Sequence, residues 1–180
     1  MLRIEIPGRD LYDESTSTFV SVKPEFLQLE HSLVSLSKWE SKWRIPFLTK
    51  DNKTHEETMD YIKCMTITQN VDPKVYVGLP NETFQEVLSY IDAPMTATWF
   101  SDKQNTPPSR EAVTAEIIYY WMISYNIPFE CQKWHLNKLL TLIRVCGIKS
   151  QAPKKQPRGE TLKQRAALNA ARRSQLNTKG

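Results

Sequence analysis

The chain has 180 residues, a formal net charge of +4, 40% hydrophobic residues and a mean hydropathy of −0.50. That length suits one domain of roughly 150 residues with an extension, and no run approaches the ~18 apolar residues that a membrane-spanning helix needs. Only five glycines occur, none in a phosphate-cradling loop, which argues against the nucleotide-binding classes.

No basic start leads into an apolar run and a cleavage site, so a soluble, intracellular protein is expected. Cys64, Cys131 and Cys146 are odd in number and lie in helix-like segments, which favours packed, reduced thiols over a disulfide framework.

In chain order, Leu2, Ile4 and Ile6 alternate with polar residues up to Pro7 and Gly8, and Phe19, Val20 and Val22 form a second strand-like piece before Pro24. Residues 1–24 therefore predict a small β-hairpin or three-strand flap, which needs a surface to pack on. After Pro24 the period becomes helical. Leu29, Leu33, Leu36, Trp39 and Trp43 share one face, and Glu30, Ser37, Glu40 and Ser41 are expected to lie away from it, with Pro46 ending the helix.

Thr54 and Glu57 predict a capping box for the next helix, with Tyr61, Ile62 and Met65 pointing inward. Two shorter helices follow, with Asp72 and Asn81 as expected caps and Pro80 between them. Pro94, Pro107 and Pro108 mark a loop. Ser109 is the expected cap of the helix from Arg110 to Asn126, the most apolar stretch and the expected buried centre. Pro128 stops it. A final body helix carries Leu136, Leu139, Leu140 and Ile143 on one face, with Gly147 as the expected left-handed cap and Ile148 closing over it.

Residues 25–148 thus predict a helical domain, and the chain as a whole a mainly α protein. Residues 149–180 differ in kind: Gln151–Gly159 reads as a linker, and the Ala-, Leu-, Arg-rich stretch after it as a helix with no wide apolar face. This segment holds nine Lys or Arg against the single acid Glu160, a charge of +8, leaving the first 148 residues at −4. All five Trp, seven Tyr and six Phe precede residue 135. A cationic arm without aromatic rings would bind nucleic acid only non-specifically, through phosphates, or else an acidic protein surface.

The search for chemistry yields bland readings. Cys131 and His135, four apart on an expected helix, hint at a metal, but a structural zinc needs about four ligands and no second pair is evident. Glu56, Glu57 and Asp60 fall in a helix's first turns, where carboxylates are favoured anyway. No catalytic signature, cofactor site or metal site is predicted. Trp39 and Trp43, flanked by Lys38, Lys42 and Arg44, read chiefly as core and secondly as a partner-binding stripe. Together with Leu162, Arg165, Leu168, Arg172, Arg173 and Leu176 of the arm, they are the candidate partner-binding residues.

The runs LEHSLVSLSKWESKWRIPFL, YIKCMTITQNVDP, YIDAPMTATWF, IYYWMISYNIPFECQKWHLNKLLTLIRVC and LNAARRSQLNTKG resemble a family of small tail assembly chaperones encoded in the tail-morphogenesis clusters of long-tailed bacteriophages. The resemblance implies a non-enzymatic helical protein, working in the host cytoplasm, that coats the tape-measure protein and recruits tail-tube subunits. In related systems a longer form arises by ribosomal frameshifting near the end of the short form. A homo-oligomer stays open, as do two other readings: a virion structural protein (connector, capsid or tail subunit) with a basic tail, and a nucleic-acid-binding regulator.

Overall fold

The computed structural model describes residues 1–13, 17–49, 52–77, 79–100, 112–150 and 158–176. The protein is mainly α, with a small N-terminal β element and a basic C-terminal helix. Strands β1 (Leu2–Ile6) and β4 (Glu25–Leu29) pair antiparallel, as do β2 (Arg9–Asp13) and β3 (Thr18–Val22). Both ladders share one register: carried on from Ile6↔Glu25 to Arg9↔Val22, it sets Pro7 against Pro24. A proline has no N–H to give a ladder, so two of them face to face split one long hairpin into two. A Cβ on Gly8 would lie 2.9 Å from Pro24 Cδ, so glycine is what the crossing tolerates.

The β element extends past the expected boundary at residue 24. Leu27 and Leu29 are buried while Phe26 and Gln28 are exposed, a period of two, so Leu29 belongs to a strand and not to the following helix. The far edge of β4 is covered from residues 65–68, through Glu30 N–H to Met65 O (3.0 Å) and Ile67 N–H to Gln28 O (2.8 Å). Pairing on both edges makes the strand the better solution for this segment.

Helix α1 (Leu33–Trp43) starts at a capping box formed by Ser32 and Ser35 and ends at Arg44 in the left-handed region (φ 57°), ahead of Pro46. Helix α2 (His55–Met65) has the expected box: Thr54 Oγ1 accepts from Glu57 N–H, and the Glu57 carboxylate accepts from Thr54 N–H at 2.8 Å. The short α3 (Lys74–Val77) is capped by Asp72, whose carboxylate accepts from Lys74 N–H at 3.0 Å. Helix α4 (Asn81–Asp92) departs from expectation: Pro80 holds the cap position with no side-chain bond, and Asn81 is the first helical residue.

Helix α5 (Ala115–Ser124) starts later than expected, with Thr114 at its cap position and residues 112–114 outside the helix; Ser109 lies outside the described residues. Its N-terminus is served by a side chain distant in sequence. Glu40, expected on the solvent side of α1, is buried at 8% exposure: one carboxylate oxygen accepts from Ala115 N–H and the other from Phe47 N–H, each at 2.8 Å. The α5 macrodipole adds to this stabilisation of a buried negative charge.

Helix α5 is not a fully buried centre. Ala115, Ile118 and Met122 face the core, while Tyr120 (66%) and Ile123 (61%) are exposed. After a 3₁₀ turn (Phe129–Lys133), Trp134 is extended (ψ 162°), and α6 (Leu136–Ser150) runs straight through Gly147 instead of ending there. Glycine in a last helical turn costs only about 1 kcal/mol.

The core joins Ile4, Ile6, Leu27 and Leu29 of the ribbon to Leu33, Leu36 and Trp39 of α1, Tyr61, Ile62 and Met65 of α2, Val87 of α4, Ile118 and Met122 of α5, and Leu136, Leu139 and Ile143 of α6. The chain divides into two compact units, Met1–Cys146 and Gly147–Gly180; helix α7 (Arg158–Leu176) lies in the second. Among the described residues no helix is long and apolar enough to cross a membrane.

Candidate functional site

Three places hold residues that function could use: helix α7, the Trp39–Trp43 stripe, and a cavity in the body. In α7 every residue whose side chain is described is exposed, including Leu162 (61%), Leu168 (56%) and Leu176 (71%). At 3.6 residues per turn, the six arm residues predicted to bind a partner fall within an arc of about 140°. Leu162 and Leu176 lie about 40° apart on one side of that arc, Leu176 near its middle, and Leu168 lies at the opposite edge. Arg165 and Arg172 fall between the two groups, Asn169 between Leu162 and Leu176, and Arg173 beside Leu162. The arm therefore presents one mixed face of leucines and arginines, with no purely apolar stripe.

The tryptophans part company. Trp39 is fully buried and its Nε1–H donates to Glu57 O at 2.9 Å, so it has no surface to offer a partner. Trp43, half-buried, stacks on it with ring centroids 6.0 Å apart and donates to Asp60 Oδ2 at 2.9 Å. Lys42 binds the other Asp60 oxygen. Burial alone would raise the Asp60 carboxyl, but the bonds from Lys42 and Trp43 outweigh it and hold the group below the ordinary carboxylate range. Lys42 is raised in turn, first by that hydrogen bond. Asp60 and Glu57 thus serve as internal acceptors, one for two side chains and the other for a helix terminus.

A cavity of about 450 Å³ is lined by His31, Phe47, Thr58, Tyr61, Leu88, Ile91 and Asn137, with Lys53 and Asp92 also on its wall. The Phe47 and Tyr61 rings pack against each other with centroids 4.0 Å apart. His31, 2% exposed, bonds through Nδ1 to the Tyr61 hydroxyl at 2.5 Å, and Tyr61 reaches Ser35 Oγ at 3.4 Å. Behind His31 stands His135, ring centroids 5.0 Å apart. His135 Nε2 bonds to Tyr90 O at 3.0 Å, and its Nδ1 is buried with no hydrogen-bond partner among the described residues. The Tyr90 hydroxyl donates to Glu30 at 2.6 Å. This network ties α1, α2, α4 and α6 together at one point.

It also sets the charge state. Burial, and then the neighbouring His135, lower His31 from 6.5 to about 3. Burial lowers His135 as well, against the opposing pull of its bond to Tyr90 O. Burial raises the Tyr61 hydroxyl far above its usual range. Both imidazoles are thus neutral at pH 7. The unfolded chain takes up these protons below about 6.5 and the folded one only at lower pH, for His31 near 3, so this stability is complete above about 6.5 and is lost as pH falls.

At pH 5 the His31 contribution alone amounts to a loss of about 2 kcal/mol. Urea denaturation at pH 7 and pH 5 measures it. His31→Gln is expected to be weaker at pH 7 but flatter between the two. An equal slope in both proteins would remove His31 as the cause.

Cys131 and His135 were expected four apart on one helix, which the structure does not form. Cys131 lies in the 3₁₀ turn and His135 beyond the extended Trp134, so helical spacing does not relate them, and no group of three His, Cys, Asp or Glu suited to a metal occurs among the described residues. The His31–His135 pair and the cap at Glu40 had no periodic signal in the sequence. No protein-family model, curated protein or solved structure matches the chain.

Proposed function

We propose that the chain is a non-enzymatic tail assembly chaperone of a long-tailed bacteriophage, which keeps the tape-measure protein soluble in the host cytoplasm and helps recruit tail-tube subunits. The family resemblance over nearly the whole chain motivates this reading. The observation that carries it is α7: 19 residues of helix in a unit separate from the main core, with cations and leucines presented to solvent. A helix this poor in buried contacts has little use in the free protein. On an acidic, helical client it gains charge-assisted bonds from Arg165, Arg172 and Arg173 and burial for its leucines. The buried network around His31 serves in this reading to keep the body rigid.

Deleting residues 150–180 is expected to leave the melting temperature of the body nearly unchanged while abolishing co-purification with the tape-measure or tube protein. A truncated protein that still captures the client, or that loses only salt-sensitive DNA binding, would overturn the role given to the arm. Mass spectrometry of purified virions separates the chaperone from a structural subunit: a chaperone is absent from the finished particle, a connector or tail subunit present in many copies.

A further inference from the structure

We infer that α7 of one copy docks on the outward face of α5 and the adjoining 3₁₀ turn of a second copy, so that the protein self-associates through arm exchange. The receiving face is built from α5 upward. Glu116, Tyr119, Tyr120 and Ile123 recur at spacings of three and four, which sets them on one side of the helix, opposite the core-facing Ala115, Ile118 and Met122. Tyr120 and Ile123 are more than half exposed.

The patch continues into the 3₁₀ turn. Phe129, 53% exposed, stands beside the half-buried Tyr119 with ring centroids 6.4 Å apart, and the Tyr119 hydroxyl donates to Gln132 at 2.9 Å. Two exposed acids border these rings, Glu116 at one end and Glu130 next to Phe129; the cation nearest in sequence is Lys133. An apolar strip with acids on its rim fits a helix face that sets leucines among arginines.

Helix α7 has that chemistry. Leu162 and Leu176 lie on one side of the helix about 21 Å apart along its axis, and the short side chains of Ala166 and Asn169 between them let the helix lie close on the Tyr120–Ile123–Phe129 strip. Arg165 and Arg172 run beside the two leucines to meet Glu116 and Glu130. The charge balance of the whole chain points the same way, −4 over the first 148 residues and +8 over the rest. Every copy carries both halves of the joint, so reciprocal exchange closes a dimer and one-way exchange extends a chain. The inference shares with the chaperone reading only the premise that α7 is adhesive, and client and second copy then compete for the same face.

Sedimentation equilibrium of the full chain tests it. The average mass is expected to rise from 20.9 kDa toward twice that value or more between about 5 and 200 µM, as for a small interface of micromolar Kd, and to fall back with added salt. Two full-length variants with exposed substitutions are then compared: a face variant, Tyr120→Ser with Ile123→Asp, and an arm variant, Leu162→Ser with Arg172→Glu and Leu176→Ser. Each alone should remain monomeric, with unchanged melting. Mixed one to one they should form a dimer, because one retains the arm and the other the face.

A wild type that stays monomeric at the highest concentration overturns the inference, whether the arm stays free or docks within its own chain. So does association that survives in either variant, or a mixture that stays monomeric. None of these outcomes depends on the client, so a full-length protein that self-associates but captures no tape-measure protein would overturn the chaperone reading alone.

Discussion

Trp39→Ala is expected to lower the stability of the body by about 3–5 kcal/mol, the range for truncating a fully buried tryptophan, and to lower Tm by roughly 10 °C. Three losses combine. The side chain leaves a cavity between α1 and α2. Trp43 loses its stacking partner and Phe47 its edge-on ring at 5.1 Å. The Glu57 carbonyl loses the indole N–H at 2.9 Å, one net hydrogen bond of about 0.5–1.5 kcal/mol. Trp39→Phe keeps most of the volume and removes the donor, so it should cost a fraction of the alanine change. Thermal and urea denaturation provide the measurement. If Trp39→Ala costs under ~0.5 kcal/mol, as a surface residue would, the residue is not core and its use as a partner contact returns.

Glu40→Ala should be as severe for a different reason. The carboxylate accepts from Phe47 N–H and Ala115 N–H, one in the loop after α1 and the other at the first residue of α5, 75 residues away. Removing it leaves two amides short of their acceptor in a buried site, at about 1–3 kcal/mol each. Glu40→Gln preserves shape but offers one acceptor oxygen in place of two, so its cost falls between wild type and alanine. Hydrogen exchange gives the local readout: amides of the first turn of α5 should lose protection before those of α2. Equal protection in Glu40→Ala and wild type would show that α5 needs no cap from α1.

Both residues lay in plain sight in the sequence, and only one could be read there. Trp39 belongs to a run of large apolar residues at helical spacing, and such a run is usually buried whatever it packs on. Glu40 comes next and was placed toward solvent, since a carboxylate is seldom buried without partners. Its partners are backbone amides, which every residue has and no pattern announces. The His31–His135 pair escaped because its partners are distant in sequence: the Tyr61 hydroxyl of α2 holds the His31 ring and the Tyr90 carbonyl of α4 the His135 ring. The Cys131–His135 spacing misled in the opposite direction, because it assumed one continuous helix where Trp134 is extended.

The strand assignment shows a third kind of error. In residues 25–29 the leucines suit either the strand period or the start of the helical one. Hydrogen bonding on both edges, to β1 and to residues 65–68, decided for the strand. The helix was also expected to stop at Gly147, but α6 continues to Ser150.

By itself the sequence determined the mainly α class, the β start broken near Pro7 and Pro24, the Thr54–Glu57 box that opens α2, the inward faces of α1, α2 and α6, and the separation of an acidic body from a cationic helical arm. These follow from local terms: side-chain period, capping within three residues, proline's missing donor and the charge of neighbours. Only the tertiary structure decided that Glu40 caps a helix distant in the chain, that two histidines sit neutral against each other, and that α5 turns tyrosine and isoleucine outward. The physical reason is that a polar group's burial depends on whether some other segment supplies its hydrogen bonds, and an apolar group's exposure on whether some other segment covers it. Both are properties of pairs far apart in sequence, which periodicity along one helix does not encode.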